Sequence, residues 1–223
     1  MHIGLIGGIG PAATDYYYRR LIKAFAHLDE DLDLTIAHAD TPTLIDNLDR
    51  NDEGSQVVIY NRLAQRLIRG GAGCVVVSSI AGHFCIDAFK AISPLPVVDM
   101  RVAVDEAVGE RKLGRVGIIG TRTVMASRFY GGIDSAEVIP PSGDELDAVH
   151  EAYIAMAASG VVTDEQRAVF DGACEKLIES AGVDAVMMAG TDLALAYREG
   201  ETRFPIVDCA AVHVDAIVRF ATS

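Results

Sequence analysis

Apolar residues fall in short runs, separated by longer stretches in which they recur every three or four positions. The short runs read as buried strands, and the recurrence reads as helices that turn one face to a core. Strands are predicted over residues 2–7, 34–39, 74–78, 96–99, 115–120, 137–139, 184–189 and 205–208. Between them the pattern predicts helices, among them 12–26, 54–69, 125–130, 145–158, 164–180 and 211–220. Apolar strands alternating with helices imply parallel sheets covered on both faces. The fold class is α/β.

The pattern is also written twice. Ile3-Gly4-Leu5-Ile6-Gly7 recurs 113 residues later as Val116-Gly117-Ile118-Ile119-Gly120. The run from Gly73 to Ser79 recurs 111 residues later, from Asp184 to Gly190. Leu95-Pro96-Val97-Val98-Asp99 recurs 109 residues later as Phe204-Pro205-Ile206-Val207-Asp208, and Thr14 and Tyr17 match Ser127 and Tyr130 at the first offset. Three matches in one order, with offsets that drift by a few residues, indicate a duplication. The expected architecture is two pseudo-symmetric Rossmann-like domains, each a four-stranded parallel sheet flanked by helices. Residues 1–98 with 209–223 would form the first and residues 99–208 the second. Ligands bind beyond the carboxyl ends of strands in such sheets. Paired halves would set residues 7–14, 78–83, 120–127 and 190–192 around one shared cleft.

Half of the 223 residues are apolar, enough for a buried core and too many for a disordered chain. No apolar run reaches the roughly 18–20 residues of a membrane span, and the opening MHIGLIGGIG lacks the basic stretch of a signal peptide. Nineteen basic against 32 acidic residues give a net charge of −13, which opposes binding to nucleic acid or an anionic membrane. A local cationic pocket for a small acid is compatible with that field. Cys74, Cys85, Cys174 and Cys209 are widely spaced with no Cys-x-x-Cys. Neither a disulfide framework nor a metal site is expected, and a reducing cytoplasm suits such a chain.

Gly8-Ile9-Gly10-Pro11-Ala12-Ala13 has the spacing of a dinucleotide fingerprint, with Asp40 after the second strand as a possible ribose partner. Proline supplies no N–H where that fingerprint holds pyrophosphate. It reads instead as the start of a helix whose next N–H groups suit a carboxylate. No cofactor is expected.

The run Gly7-Gly8-Ile9-Gly10-Pro11-Ala12-Ala13-Thr14-Asp15-Tyr16-Tyr17-Tyr18 resembles the opening of the aspartate/glutamate racemase family, in its aspartate-racemase branch. Val116-Gly117-Ile118-Ile119-Gly120-Thr121-Arg122, followed by Met125, Ser127 and Tyr130, resembles the opening of that family's second half, and Pro205-Ile206-Val207-Asp208 with His213 resembles its C-terminal segment. The resemblance implies a cytoplasmic, PLP-independent amino-acid racemase, commonly a homodimer, that moves a proton between two cysteines, one from each half. Thiols suit that task because a thiolate is accessible near neutral pH. In this chain Ser79 stands at the first family cysteine, within Ser78-Ser79-Ile80-Ala81-Gly82-His83, and Gly190 stands at the second, within Ala189-Gly190-Thr191-Asp192. A serine hydroxyl is a far weaker acid, and glycine has no side chain. Two-thiol racemisation is not expected.

Catalytic candidates are therefore Ser79, His83 one helical turn on, and Asp192 on the opposite side. Against these roles, His83 reads equally as a substrate-binding or capping residue, and Asp192 as a helix-start carboxylate. Cys74, Cys85 and Cys174 read as core, and Cys209 as a small buried filler. Substrate-binding candidates are Gly10, Thr14, Ser78, Thr121, Arg122, Ser127 and Thr191, whose amides, hydroxyls and guanidinium suit a carboxylate. Arg122 and Arg50 read equally as solvated surface charges. Three functions stay open: a racemase-type cleft for a small amino or carboxylic acid, a non-catalytic carboxylate-binding or regulatory protein, and a different isomerase or lyase using His83 or Asp192.

Overall fold

A computed structural model describes residues 1–8, 10–197 and 202–223, so Ile9 of the glycine segment lies outside the described residues. The chain forms two compact units, Met1–Asp99 with His213–Ser223, and Met100–Val212. In the first, β1 (Ile3–Gly7), β2 (Leu34–His38), β3 (Cys74–Val77) and β4 (Val97–Val98) make one sheet in the order β2-β1-β3-β4. In the second, β5 (Arg115–Gly120), β6 (Glu137–Ile139), β7 (Ala185–Ala189) and β8 (Ile206–Asp208) repeat that order as β6-β5-β7-β8. Every pairing is parallel. The registers repeat as well: Ile3 pairs with Cys74 and Val116 with Ala185, Val75 with Val97 and Val186 with Ile206. These partners are the residues that the sequence repeat equates. The α/β class and the duplicated sheet are as the pattern predicts.

Helices α1 (Pro11–Leu28), α2 (Thr41–Asp49), α3 (Glu53–Arg69), α4 (Ile86–Ile92), α5 (Met100–Glu110), α6 (Arg122–Ala126), α7 (Asp144–Ser159), α8 (Asp164–Glu179) and α9 (Cys209–Thr222) fill the intervals. The central strands β1, β3 and β7 are buried at every residue, which explains their unbroken apolar sequence. No helix among the described residues is long and apolar enough to cross a membrane.

The Asp40 carboxylate accepts from the N–H and hydroxyl of Thr43, capping α2, with Pro42 in the first turn where proline is tolerated. The helix expected over 125–130 stops at Ala126, because Arg128, Phe129 and Tyr130 take positive φ values of 52°, 62° and 57°.

Candidate functional site

In the first unit, the turn after β1 needs its glycines. Gly8 (φ 92°) and Gly10 (φ 86°) are left-handed, and a Cβ on Gly8 would stand 2.3 Å from Nδ1 of His38. Thr14 ties this turn down: its hydroxyl accepts from Gly8 N–H at 2.8 Å and donates to the Gly10 carbonyl at 3.3 Å. The Thr41 hydroxyl donates to the Gly8 carbonyl. Thr14 therefore shapes the loop, and the N-cap residue of α1, Gly10, has no side chain to cap its first turn.

At the end of β3, the Ser78 N–H and hydroxyl both donate to the Ile6 carbonyl at 3.2 Å, joining β3 to β1. A 3-10 turn over Ala81–Cys85 follows and brings His83 back to Ser79. His83 Nδ1 donates to the backbone carbonyl of Ser79 at 2.7 Å. A carbonyl only accepts, so Nδ1 carries the proton in the neutral ring and Nε2 carries the lone pair. The His83 ring lies edge-on to His213, with centroids 6.0 Å apart. His213 Nε2 donates to the Val98 carbonyl at 2.9 Å, and its Nδ1 therefore accepts from the Tyr17 hydroxyl at 2.8 Å. Burial first, and the neighbouring His83 second, push the His213 pKa down to about 3, so this ring is neutral near pH 7. Sequence reasoning gave His213 and Tyr17 no role; only their place in the family's motifs marked them.

In the second unit, the Thr121 hydroxyl at the end of β5 accepts from Val124 N–H at 3.4 Å and starts α6. The Ser127 hydroxyl donates to the Val124 carbonyl at 3.3 Å and accepts from Tyr130 N–H at 3.0 Å, closing the left-handed turn. Left-handed backbone costs about 1–2 kcal/mol per ordinary residue, and here it is held by the completely buried Phe129. Arg122 does not point its charge inward alone. Its guanidinium pairs with Asp147, both side chains are half-exposed, and its backbone N–H donates to His150 Nδ1 at 3.1 Å.

The end of β7 is closely packed. A 3-10 turn over Thr191–Leu195 follows it, as Ala81–Cys85 follows β3. Gly190 has extended φ (−152°), a backbone any residue adopts, so conformation is not why glycine stands here. Space is the reason: a Cβ would lie 2.3 Å from Cε2 and 2.8 Å from Cζ of Tyr153. The Tyr153 hydroxyl donates to Asp192 Oδ2 at 2.9 Å. Asp192 is only 5% exposed, beside the equally buried Thr191, and its Oδ1 meets no donor among the described residues. Burial raises the Asp192 pKa against the lowering effect of the Tyr153 bond. Burial and the facing carboxylate hold the Tyr153 phenol well above its usual range. Tyr153 escaped sequence reasoning because, with Val149 and Met156, it fits the buried face of α7.

None of the four thiols is poised as a thiolate. All are buried, and burial is the first cause raising each pKa, that of Cys85 to about 12. Among the described residues no three His, Cys, Asp or Glu side chains could share a metal ion. A recess of about 400 Å³ in the second unit lies beside Arg167, Asp171, Tyr197 and Arg203. Its cations are already engaged, Arg203 by Asp171 and Glu175, Arg167 by the Ala196 carbonyl and the Tyr197 ring.

A family model described as Asp/Glu/hydantoin racemase matches residues 6–217. The chain belongs to that racemase family. Among solved structures, an aspartate racemase homologue from Pyrococcus horikoshii OT3 is 25% identical, with a TM-score of 0.83 over 100% of this chain and 99% of its own. A candidate Asp/Glu racemase from Yersinia pestis is 24% identical, with a TM-score of 0.86 and both chains covered in full. A glutamate racemase from Francisella tularensis, solved in complex with D-glutamate, shares the fold at 15% identity and a TM-score of 0.68, over 99% of this chain and 81% of its own. The duplicated sheet is thus the racemase-family fold.

Proposed function

We propose that this member of the racemase family binds a small amino or carboxylic acid at its strand ends and does not racemise it by a two-thiol route. The observation that carries this reading is the state of the cysteines: all four are buried with raised pKa values, while Ser79 and Gly190 occupy the strand-end positions. An unassisted serine hydroxyl stays protonated at neutral pH, and Gly190 offers nothing to deprotonate. Carboxylate recognition falls to the uncapped first turn of α1 beyond Gly10, and to Thr121 and Thr191 beside the ends of β5 and β7. Thr14, Ser78 and Ser127 act by holding the loops that present those groups. The family membership supports a PLP-independent, cytoplasmic, homodimeric protein.

One observation favours a second reading, an isomerase or lyase of another kind. The Ser79 carbonyl accepts from Nδ1 of His83, so in the neutral form of the ring Nε2 is the basic nitrogen. A single imidazole base could remove a proton from one face of a bound acid. Proton NMR in heavy water separates the readings. We expect aspartate and glutamate to bind, by calorimetry, with no Cα deuteration at enzyme-like turnover. Deuteration that survives a mock-purification control and disappears in His83→Gln establishes the single-base reading. Deuteration that persists in His83→Gln overturns both.

A further inference from the structure

Asp192 and Tyr153 support a more specific role, which rests on the proposed function for its ligand class. Tyr153 packs its ring on the backbone of Gly190 and gives its hydroxyl proton to Asp192 Oδ2 at 2.9 Å. That bond occupies one carboxylate oxygen. The other, Oδ1, is enclosed in a residue 95% buried and has no donor among the described residues. An enclosed acceptor left unmatched costs about 1–3 kcal/mol, and more when charged. Native proteins keep such atoms where a ligand, ion or water supplies the donor. This one stands in the turn that begins where β7 ends, the end at which parallel sheets of this kind bind ligands.

The chemistry of the missing donor follows from charge. No ion pair among the described residues involves Asp192, and Tyr153 brings a hydrogen bond without a positive charge. A buried carboxylate is stabilised most by a cation that also donates hydrogen bonds. We propose that Asp192 Oδ1 anchors the protonated amine of a small amino-acid ligand, with Tyr153 as the positioning residue that fixes the carboxylate and fills the volume a side chain at position 190 would take. Both carboxylate oxygens are then engaged, one by the phenol and one by the ammonium group. Asp192 is a binding residue in this arrangement and not the base that takes an α-proton.

Calorimetry on the full chain with L-aspartate, D-aspartate, succinate and hydantoin tests the assignment. Succinate keeps both carboxylates of aspartate and lacks the amine; hydantoin offers neutral ring N–H groups. At least one aspartate enantiomer should bind about tenfold tighter than succinate, the equivalent of about 1.4 kcal/mol. Asp192→Asn should abolish that preference and leave succinate within about twofold of wild type, the charge-dependent signature expected of an ion–ammonium contact. Tyr153→Phe, which retains the ring against Gly190, should reduce the preference by part of that factor without weakening succinate. It carries the test alone if Asp192→Asn fails to fold in a thermal scan. Equal affinity for aspartate and succinate overturns the amine anchor, as does a preference unchanged in the variant that folds. A loss confined to hydantoin overturns it too. In those cases succinate binding leaves the proposed function standing, whereas failure of every carboxylate to bind overturns both.

Discussion

The ends of β3 and β7 occupy the same position in the two halves, each followed by a five-residue 3-10 turn, yet they are built with opposite chemistry. After β3 stand two imidazoles, with His83 on the Ser79 carbonyl and His213 between Tyr17 and the Val98 carbonyl. After β7 stand a carboxylate and a phenol, Asp192 and Tyr153, over a glycine that has no room for a side chain. In both halves a tyrosine hydroxyl donates to a buried ionisable group. The repeated scaffold and its burial thus carry a different titratable group at each of these two strand ends.

The largest expected effect tests the steric half of that contrast. Gly190→Cys places a Cβ 2.3 Å from an aromatic carbon of Tyr153, and overpacking of this kind costs about 1–3 kcal/mol. Ser79→Cys changes one heavy atom at the matching place and should cost under about 1 kcal/mol. Urea unfolding of both variants measures the difference. Adding Tyr153→Leu to Gly190→Cys should recover part of the loss, since the two sites touch. Strict additivity of the two substitutions sinks the idea that Tyr153 excludes the side chain.

The next contrast is in pH dependence, where the two halves should respond in opposite directions. His213 titrates near 3 in the fold against 6.5 when unfolded, so the unfolded chain binds more protons between those values. Stability then falls as pH drops from about 6.5 towards 3, by up to about 1.4 kcal/mol per pH unit. His83, Asp99 and Tyr17 neighbour the ring, His83 lowering its pKa and Asp99 raising it. Asp192 has a raised pKa, so the folded state holds its proton longer than the unfolded one, and stability falls as pH rises from 3.8 through the raised value. His213→Gln should flatten the first trend and Asp192→Asn the second, in unfolding free energies measured from pH 3 to pH 7. Parallel pH profiles for wild type and His213→Gln contradict the neutral buried imidazole.

The scaffold was legible in the sequence because strand burial writes itself as unbroken apolar runs. The residues that the repeat equates, Ile3 with Val116 and Cys74 with Ala185, take matching places in the two sheets. The site was half legible. Ser79, His83, Gly190 and Asp192 were found from their place at strand ends, and Asp192 was expected as a base or a helix-start carboxylate. Tyr153 was hidden because its hydrophobic spacing on α7 is that of a core residue, and only three dimensions show its hydroxyl reaching a residue 39 positions away. The left-handed turn after Ala126 was hidden for a related reason: Arg128, Phe129 and Tyr130 carry no local signal for positive φ, and tertiary packing of Phe129 imposes it.

The two tyrosines sharpen the comparison at smaller amplitude. Tyr153→Phe removes a hydrogen bond to a buried carboxyl group whose other oxygen meets no donor among the described residues, and should cost about 1–3 kcal/mol. Tyr17→Phe removes one to a neutral imidazole and should cost about 1 kcal/mol. A larger loss for Tyr17→Phe than for Tyr153→Phe in chemical denaturation contradicts the greater weight of the phenol–carboxyl bond.

The smallest effect expected is at Arg122, and it decides whether the second half also contributes a cation. The guanidinium pairs with Asp147, and both side chains are 49% exposed. Exposed pairs of this kind contribute about 0–1 kcal/mol. Asp147 lies in the acidic first turn of α7, where the helix dipole favours a negative charge without help from Arg122. The other contact of Arg122, its backbone N–H to His150, survives any side-chain change except proline. Arg122→Ala should therefore leave stability within about 1 kcal/mol of wild type and succinate affinity within about threefold. A larger loss of succinate binding at unchanged stability means that the guanidinium leaves Asp147 for the ligand. The second half would then hold the ligand's carboxylate as well as its amine.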